Sequence, residues 1–284
     1  MRELLVVGSF PWSGLQMAPA DWPDCCVTEA AGEAAAIRMM RDRSFDVLVT
    51  NPATTATRDL AIVQEARALQ PGIRAIVLAP ELTPEESINA LRAEVFACFA
   101  MPPPPDELRL AIGEALDDVE GHNGIEVLSA VPDWIALRVA SRRATADRLT
   151  RFMTELAGEI IASERFKLTT AFREILLNAM EHGAGFDPDK VVDVHAVRSS
   201  RAVVYYFKDP GPGFNTVAPG SVATADDPMG HMAEREARGL RPGGFGLLLT
   251  KGLVDEVIYS ERGNEVILVK YTDQVLQVRE REWN

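Results

Sequence analysis

Five short apolar runs alternate with helical stretches over the first 118 residues, and that alternation leaves this part of the chain few folds to choose from. The runs are ELLVV, CCVTEA, FDVLVT, GIRAIVLAP and VFACFAM. Each is short, β-branched or aromatic in character, and bounded by turn residues, which reads as a strand. Between them, AGEAAAIRMMRDRS has helical composition and TRDLAIVQEARALQ is amphipathic. TPEESINALRAEV opens with the capping box Thr83-x-x-Glu86. DELRLAIGEALDDVE follows the prolines Pro102 to Pro105 and closes the set as a helix. A Pro/Gly/Trp loop separates the first two runs, and from the second run on a helix carries the chain back to the same end of the sheet, so the strands pair in parallel and both faces are covered. An α/β, doubly wound domain is therefore predicted over residues 1–120.

GHNG, residues 121–124, marks the boundary, and beyond it the order changes. IEVLSA and WIALRVA read as strands. Helical stretches follow at about 143–162 and 166–182. VVDVHAVRS, RAVVYYFKD, the helical GLLLTKGLV and a final pair, DEVIYSER and EVILVKYT, complete the chain. Mostly antiparallel strands with helices on one side predict an α+β domain over 124–284. A chain of 284 residues is comfortable as two such domains.

Charge narrows the partners. Lys and Arg total 29 and Asp and Glu total 42, a formal charge of −13. Nucleic-acid affinity depends on neutralising phosphates, so direct binding of nucleic acid is not expected. Proteins and nucleotides are the expected partners. No run reaches the roughly 20 apolar residues that span a bilayer. MRELLVVGSFPWSG reads as a first strand rather than a signal peptide, and the expected location is cytoplasmic with no membrane contact. Cys25, Cys26 and Cys98 have no zinc-site spacing and read as buried, reduced thiols.

The chemistry-bearing residues come in three groups. In FREILLNAMEHG, residues 172–183, Phe172, Ile175, Leu176, Ala179 and Met180 form an apolar stripe. Glu174, Asn178 and His182 recur at four-residue steps and would share another face of a helix that stops at Gly183. Alone, that triplet is as well explained by a solvated polar face. Downstream, DPGPGF after the strand VVYYF places Asp209, Gly211 and Gly213 where backbone can approach a ligand with no Cβ in the way. An Asp there can accept from an exocyclic amine. RPGGFGLLLTKGL then sets Gly243, Gly244 and Gly246 before a helix, and backbone amides in such a turn form an anion cradle. Each of the last two is also ordinary turn chemistry.

In this order the three groups resemble the Bergerat-fold ATP-binding domain of histidine kinases, gyrase and Hsp90-type chaperones, over roughly residues 124–275. The helix resembles the N box, DPGPGF the first glycine box and GGFGLLL the second. The helical stretch SRRATADRLTRFMTELAGEIIA lacks the His that a histidine kinase carries upstream. The arrangement is instead similar to the anti-sigma-factor serine kinases, which bind a sigma factor and phosphorylate a small antagonist protein. The resemblance implies ATP and Mg²⁺ as cofactors. It gives Asn178 the metal, Asp209 the adenine amino group, Gly211 and Gly213 the adenine and ribose, and Gly244 and Gly246 the phosphates. It makes Glu174 the general base, one turn before Asn178. His182 lies near this site, with a helix-ending role as the alternative. Residues 215–242 would be the ATP lid, with Arg238 and Arg241 as the alternatives for a γ-phosphate contact. Gly263-Asn264 departs from the family's usual Gly-Thr, which puts a minor nucleotide contact in doubt.

Residues 3–118 resemble a response-regulator receiver, a flavodoxin-like fold, without its chemistry. GSFPWSG stands where receivers carry an acidic pair, Asn51 at the phosphoacceptor Asp, Ala79 at the Ser/Thr and Met101 at the Lys. This implies a pseudo-receiver that docks or dimerises and takes no phosphate. The whole then reads as an ATP- and Mg²⁺-dependent protein Ser/Thr kinase of a bacterial-type partner-switching pathway, phosphorylating an anti-sigma-factor antagonist, sequestering a sigma factor, or both, with room for a homodimer. The competing reading is a nucleotide-gated binding module without phosphoryl transfer.

Overall fold

The computed structural model describes residues 1–12, 14, 17–51, 53–118, 124–131, 133–157, 160–213 and 246–272. They fall in two compact units, one within Met1–Ile125 and Arg151–Leu156, the other within Glu126–Thr150 and Ala157–Asn284.

The first unit carries strands β1 (Arg2–Val7), β2 (Cys25–Ala30), β3 (Val47–Val49), β4 (Arg74–Ala79) and β5 (Ala97–Ala100). Its helices are α1 (Glu33–Asp42), α2 (Ala56–Leu69), α3 (Pro84–Arg92) and α4 (Pro105–Asp117). The sheet order is β2-β1-β3-β4-β5, parallel throughout. That is the flavodoxin-like order of receiver domains. Successive side chains of β1 go to opposite faces, as a pleated strand requires. Leu4 and Val6 pack with Leu108 and Ile112 of α4. Leu5 and Val7 pack with Ile37 and Met40 of α1 and Ile62 of α2. Each such buried side chain stabilises the fold by about 1.5–3 kcal/mol relative to exposure. The Thr83–Glu86 capping box forms in both directions at the start of α3. Cys98 is buried, whereas Cys25 and Cys26 are only half-buried, because β2 is an edge strand with one flank open.

The first turn of α2 is tied to the sheet by a buried carboxyl. Asp59 accepts from the Thr50 hydroxyl at 2.7 Å and from that of Thr54. Thr50 Oγ1 in turn accepts from the Leu78 amide at 3.0 Å. Burial pushes the Asp59 carboxyl up to about 6 from its ordinary value near 3.8, and the two hydroxyls only partly offset it.

The second unit is built on β6 (Ile125–Val131), β7 (Trp134–Ala140), β8 (Val191–Arg198), β9 (Ala202–Lys208), β10 (Glu256–Tyr259) and β11 (Glu265–Tyr271). The sheet order is β10-β11-β9-β8-β7-β6, and the pairs from β10 through to β7 are antiparallel. Helices α5 (Arg143–Leu156), α6 (Ala162–Asn178) and α7 (Gly246–Leu253) accompany it. α6 packs on β9 and β11, and α7 packs on α6. Phe172 of α6 meets Tyr205 and Phe207 of β9 with ring centroids 4.8 and 5.1 Å apart, which seats the helix on the sheet. At the other end of α6, Glu164 pairs with the buried Lys270 of β11 at 2.9 Å, and Lys270 also reaches Asp255 at 3.3 Å. The first helix ends earlier than the composition predicts and the second begins earlier. Ile161 is extended, at φ −56° and ψ 142°, and separates the two.

Candidate functional site

Glu174 and Asn178 lie one turn apart near the C-terminal end of α6, both half-buried. Asn178 Nδ2 donates to Glu174 Oε1 at 3.5 Å. That bond engages only the amide nitrogen, and the oxygen is the atom a hard cation prefers.

Helical register changes just beyond Asn178. Ala179–Ala184 forms a π turn, closed by Gly185 in the left-handed region at φ 70°. Glu174 and Asn178 lie in regular α-helix, and His182 lies in the π turn beyond it with its side chain exposed. The helix does not simply stop at Gly183, which lies inside the π turn. Two bonds hold that turn at Met180, whose carbonyl accepts from the buried Ser141 hydroxyl at 3.2 Å and from the Phe186 amide at 2.8 Å.

The π turn brings Gly183 against Asp209, the first residue past β9. A Cβ at Gly183 would sit 2.2 Å from the Asp209 Cγ, and one at Gly211 would sit 2.8 Å from both Asp209 Oδ1 and the Gly183 backbone. Only glycine permits this three-way approach. Asp209 Oδ1 accepts from the Gly211 amide at 2.8 Å. Among the described residues nothing bonds Oδ2. Burial raises the pKa of the Asp209 carboxyl, and the Gly211 amide opposes the shift. A half-buried carboxylate with one oxygen fixed and one open is suited to accept from an exocyclic amine.

The far side of the loop rests on the β10–β11 hairpin. Gly213 has φ +82°, and a Cβ there would lie 1.8 Å from the Arg262 carbonyl oxygen. Arg262 Nε donates to the Pro212 carbonyl at 3.3 Å. Asn264, buried, accepts from the Asp209 amide through its backbone carbonyl at 3.0 Å. Its side-chain Nδ2 donates to the Asp209 carbonyl at 3.4 Å.

The sequence-predicted residues thus divide. Glu174 and Asn178 share a helix end, and Asp209, Gly211 and Gly213 share one loop. Gly246 begins α7. Gly244, the lid and its Arg238 and Arg241 lie outside the described residues. Among the described residues no group of three or more His, Cys, Asp or Glu is arranged to hold a metal. Gly183, Ser141 and Asn264 belong to the framework and escaped the sequence reading as framework residues. Gly183 has the signature of a helix stop, Asn264 that of a departure from a motif, and Ser141 gives no signal at all.

At the C-terminal edge of the first unit, β1 lies between β2 and β3, so the strand order reverses there. In open α/β sheets that crevice is the usual place for a ligand. Here Asn51 fills part of it. Its Oδ1 accepts from the Ala53 amide at 3.0 Å, and a Cβ at Gly8 would lie 2.7 Å from its Nδ2. Ala79 ends β4 and Met101 follows β5.

Residues 138–270 match the histidine kinase-like ATPase domain family, so the second unit carries a domain of that class. Solved structures similar to the chain include a CheY-like response regulator receiver domain protein from Methanospirillum hungatei JF-1. It is 19% identical, with a TM-score of 0.36, and the match covers 42% of this chain and 95% of that one. Vibrio cholerae chemotaxis protein CheY4 is 20% identical, with a TM-score of 0.35 and coverage of 41% and 99%. A putative pilus assembly-related protein from Burkholderia pseudomallei K96243 is 26% identical, with a TM-score of 0.34 and coverage of 41% and 90%. No curated protein matches the chain significantly.

Proposed function

We propose that the chain is an ATP- and Mg²⁺-dependent protein Ser/Thr kinase of the partner-switching type, which phosphorylates an anti-sigma-factor antagonist, sequesters a sigma factor, or both. The observation that carries the nucleotide part is the half-buried carboxylate of Asp209, wedged between Gly183 and Gly211 with Oδ2 unbonded among the described residues, within the stretch matching the ATPase domain family. In this reading Asp209 takes the adenine amino group and Gly211 and Gly213 lie under base and ribose. Gly244 and Gly246 lie beside the phosphates. Asn178 holds Mg²⁺ through its amide oxygen. Bound Mg²⁺ would neutralise phosphate charge as the γ-phosphoryl group leaves.

Glu174 takes the proton of the incoming Ser or Thr hydroxyl. That oxygen bonds to the γ-phosphorus, the bond from phosphorus to the β,γ-bridging oxygen breaks, and ADP departs with the electron pair. The test is transfer of labelled γ-phosphate to a Ser- or Thr-bearing protein that co-purifies with the chain. Glu174→Gln keeps shape but loses basicity. It should slow transfer by about 10²–10⁴-fold while leaving ATP affinity within about a few-fold. Wild-type transfer by that variant would remove the base role.

One observation favours a second reading, a nucleotide-gated binding module. Glu174 Oε1 already accepts from Asn178, which suits an orienting role with no proton to move. ATP binding without transfer to any captured partner would select it.

For the first unit we propose a pseudo-receiver that serves as a docking or dimerisation surface. An amide is a far poorer nucleophile than a carboxylate, and Asn51 stands in the crevice. Incubation with a small acyl-phosphate donor should leave the mass of the protein unchanged, and a phosphoryl adduct mapped within residues 1–120 would contradict this.

A further inference from the structure

Asp209 precedes Pro210, so the peptide that joins them has no N–H and only the Asp209 carbonyl can hydrogen-bond. β9 has ended at Lys208, and that carbonyl takes its bond from a side chain, Asn264 Nδ2, at 3.4 Å. On the other flank the Asp209 amide donates to the Asn264 backbone carbonyl at 3.0 Å. One residue therefore grips Asp209 from both sides. Asn264 is only 8% exposed, and a polar side chain so placed is costly unless it is bonded.

We infer that Asn264 is a positioning residue for nucleotide selection: its side-chain amide fixes the peptide after Asp209 and so aims the carboxylate that reads the base. The inference rests on the reading of Asp209 as the adenine contact. Three independent contacts make the hairpin a rigid reference for the loop. They are the Asn264 clamp, Arg262 Nε on the Pro212 carbonyl, and the Gly213 backbone against the Arg262 carbonyl. Removing Asn264 Nδ2 leaves the other two contacts and the bond from the Asp209 amide to the Asn264 backbone carbonyl in place, and releases only the Asp209 carbonyl, on the peptide that orients the side chain. The ligand class is a purine nucleotide with an amino group at position 6.

The experiment compares ATP with purine riboside triphosphate, which lacks that amino group, by calorimetry on the full chain. Wild type should bind ATP more tightly by about tenfold or more, the scale of one hydrogen bond to a charged acceptor. In Asn264→Ala the ratio should collapse to within about twofold, through loss of ATP affinity and not of the analogue's. A role confined to stability would weaken both ligands together and keep the ratio, and that result would overturn the inference. Asn264→Leu keeps the size nearly unchanged, carries no charge and removes the donor. It should behave as Asn264→Ala, and it serves if the alanine variant does not fold. Discrimination kept by a folded Asn264→Leu would also overturn the inference. Failure of wild type to bind ATP at all would instead overturn the functional reading, and this inference with it.

Discussion

Burial raises the pKa of the Asp209 carboxyl, yet recognition of an exocyclic amine needs the carboxylate. The folded chain holds this proton more tightly than the unfolded one. Asp209 therefore favours folding at low pH, and that contribution is lost as pH rises through its raised pKa. Nucleotide binding runs the other way. ATP affinity should fall as pH drops through the raised pKa, beginning above the range where an ordinary Asp titrates, and Asp209→Asn should remove that limb. Calorimetry across acid pH checks it, and an identical limb in the variant would assign the titration elsewhere. At this scale the sequence exposes the residues whose chemistry is carried by type and spacing, such as Asp209 before Gly211 and Gly213. It hides those defined by a tertiary neighbour. Gly183 needs its missing Cβ because Asp209 occupies that volume, and no local pattern records a residue 26 positions away.

The end of α6 is the element on which the site turns. Four-residue spacing predicts Glu174 and Asn178 on one face because both lie in regular α-helix. His182 lies beyond them, in a π turn that begins one residue past Asn178, a change of winding the spacing does not foresee. That turn is held by Ser141 from the end of β7, a contact that periodicity cannot see. Its consequence is testable. Gly183→Ala places a Cβ 2.2 Å from the Asp209 Cγ, so either the turn or the carboxylate must move. Overpacking of this kind typically costs about 1–3 kcal/mol. Here the cost should appear mainly as lost ATP affinity, roughly 5- to 150-fold by the same figures. Calorimetry and thermal unfolding on one sample separate the two effects, and unchanged affinity would show that the close approach is not part of the site. The other elements are legible for plainer reasons. β1 alternates Leu4, Leu5, Val6 and Val7 between two cores, and α3 announces itself with a box of two local bonds.

For the molecule as a whole, alternation of strand and helix was enough to give the parallel, doubly wound sheet of the first unit. The change in order after residue 124 gave the antiparallel layer of the second. Strand order within each sheet was not legible from the residues alone, because pairing partners are set by non-local packing. The same holds for Asn264, whose clamp joins a strand end to a hairpin 55 residues on. Among the described residues no helix is long and apolar enough to cross a membrane. The central claim is that α6 and the Asp209 loop together form an ATP site that works with Mg²⁺. The most direct test is calorimetric titration of the full chain with ATP, with Mg²⁺ present and with it chelated, alongside Asn178→Ala. Saturable binding in wild type, strongly weakened by chelation and by Asn178→Ala alike, is the predicted result. No ATP binding by wild type in Mg²⁺, or binding indifferent to both the metal and Asn178, would contradict it.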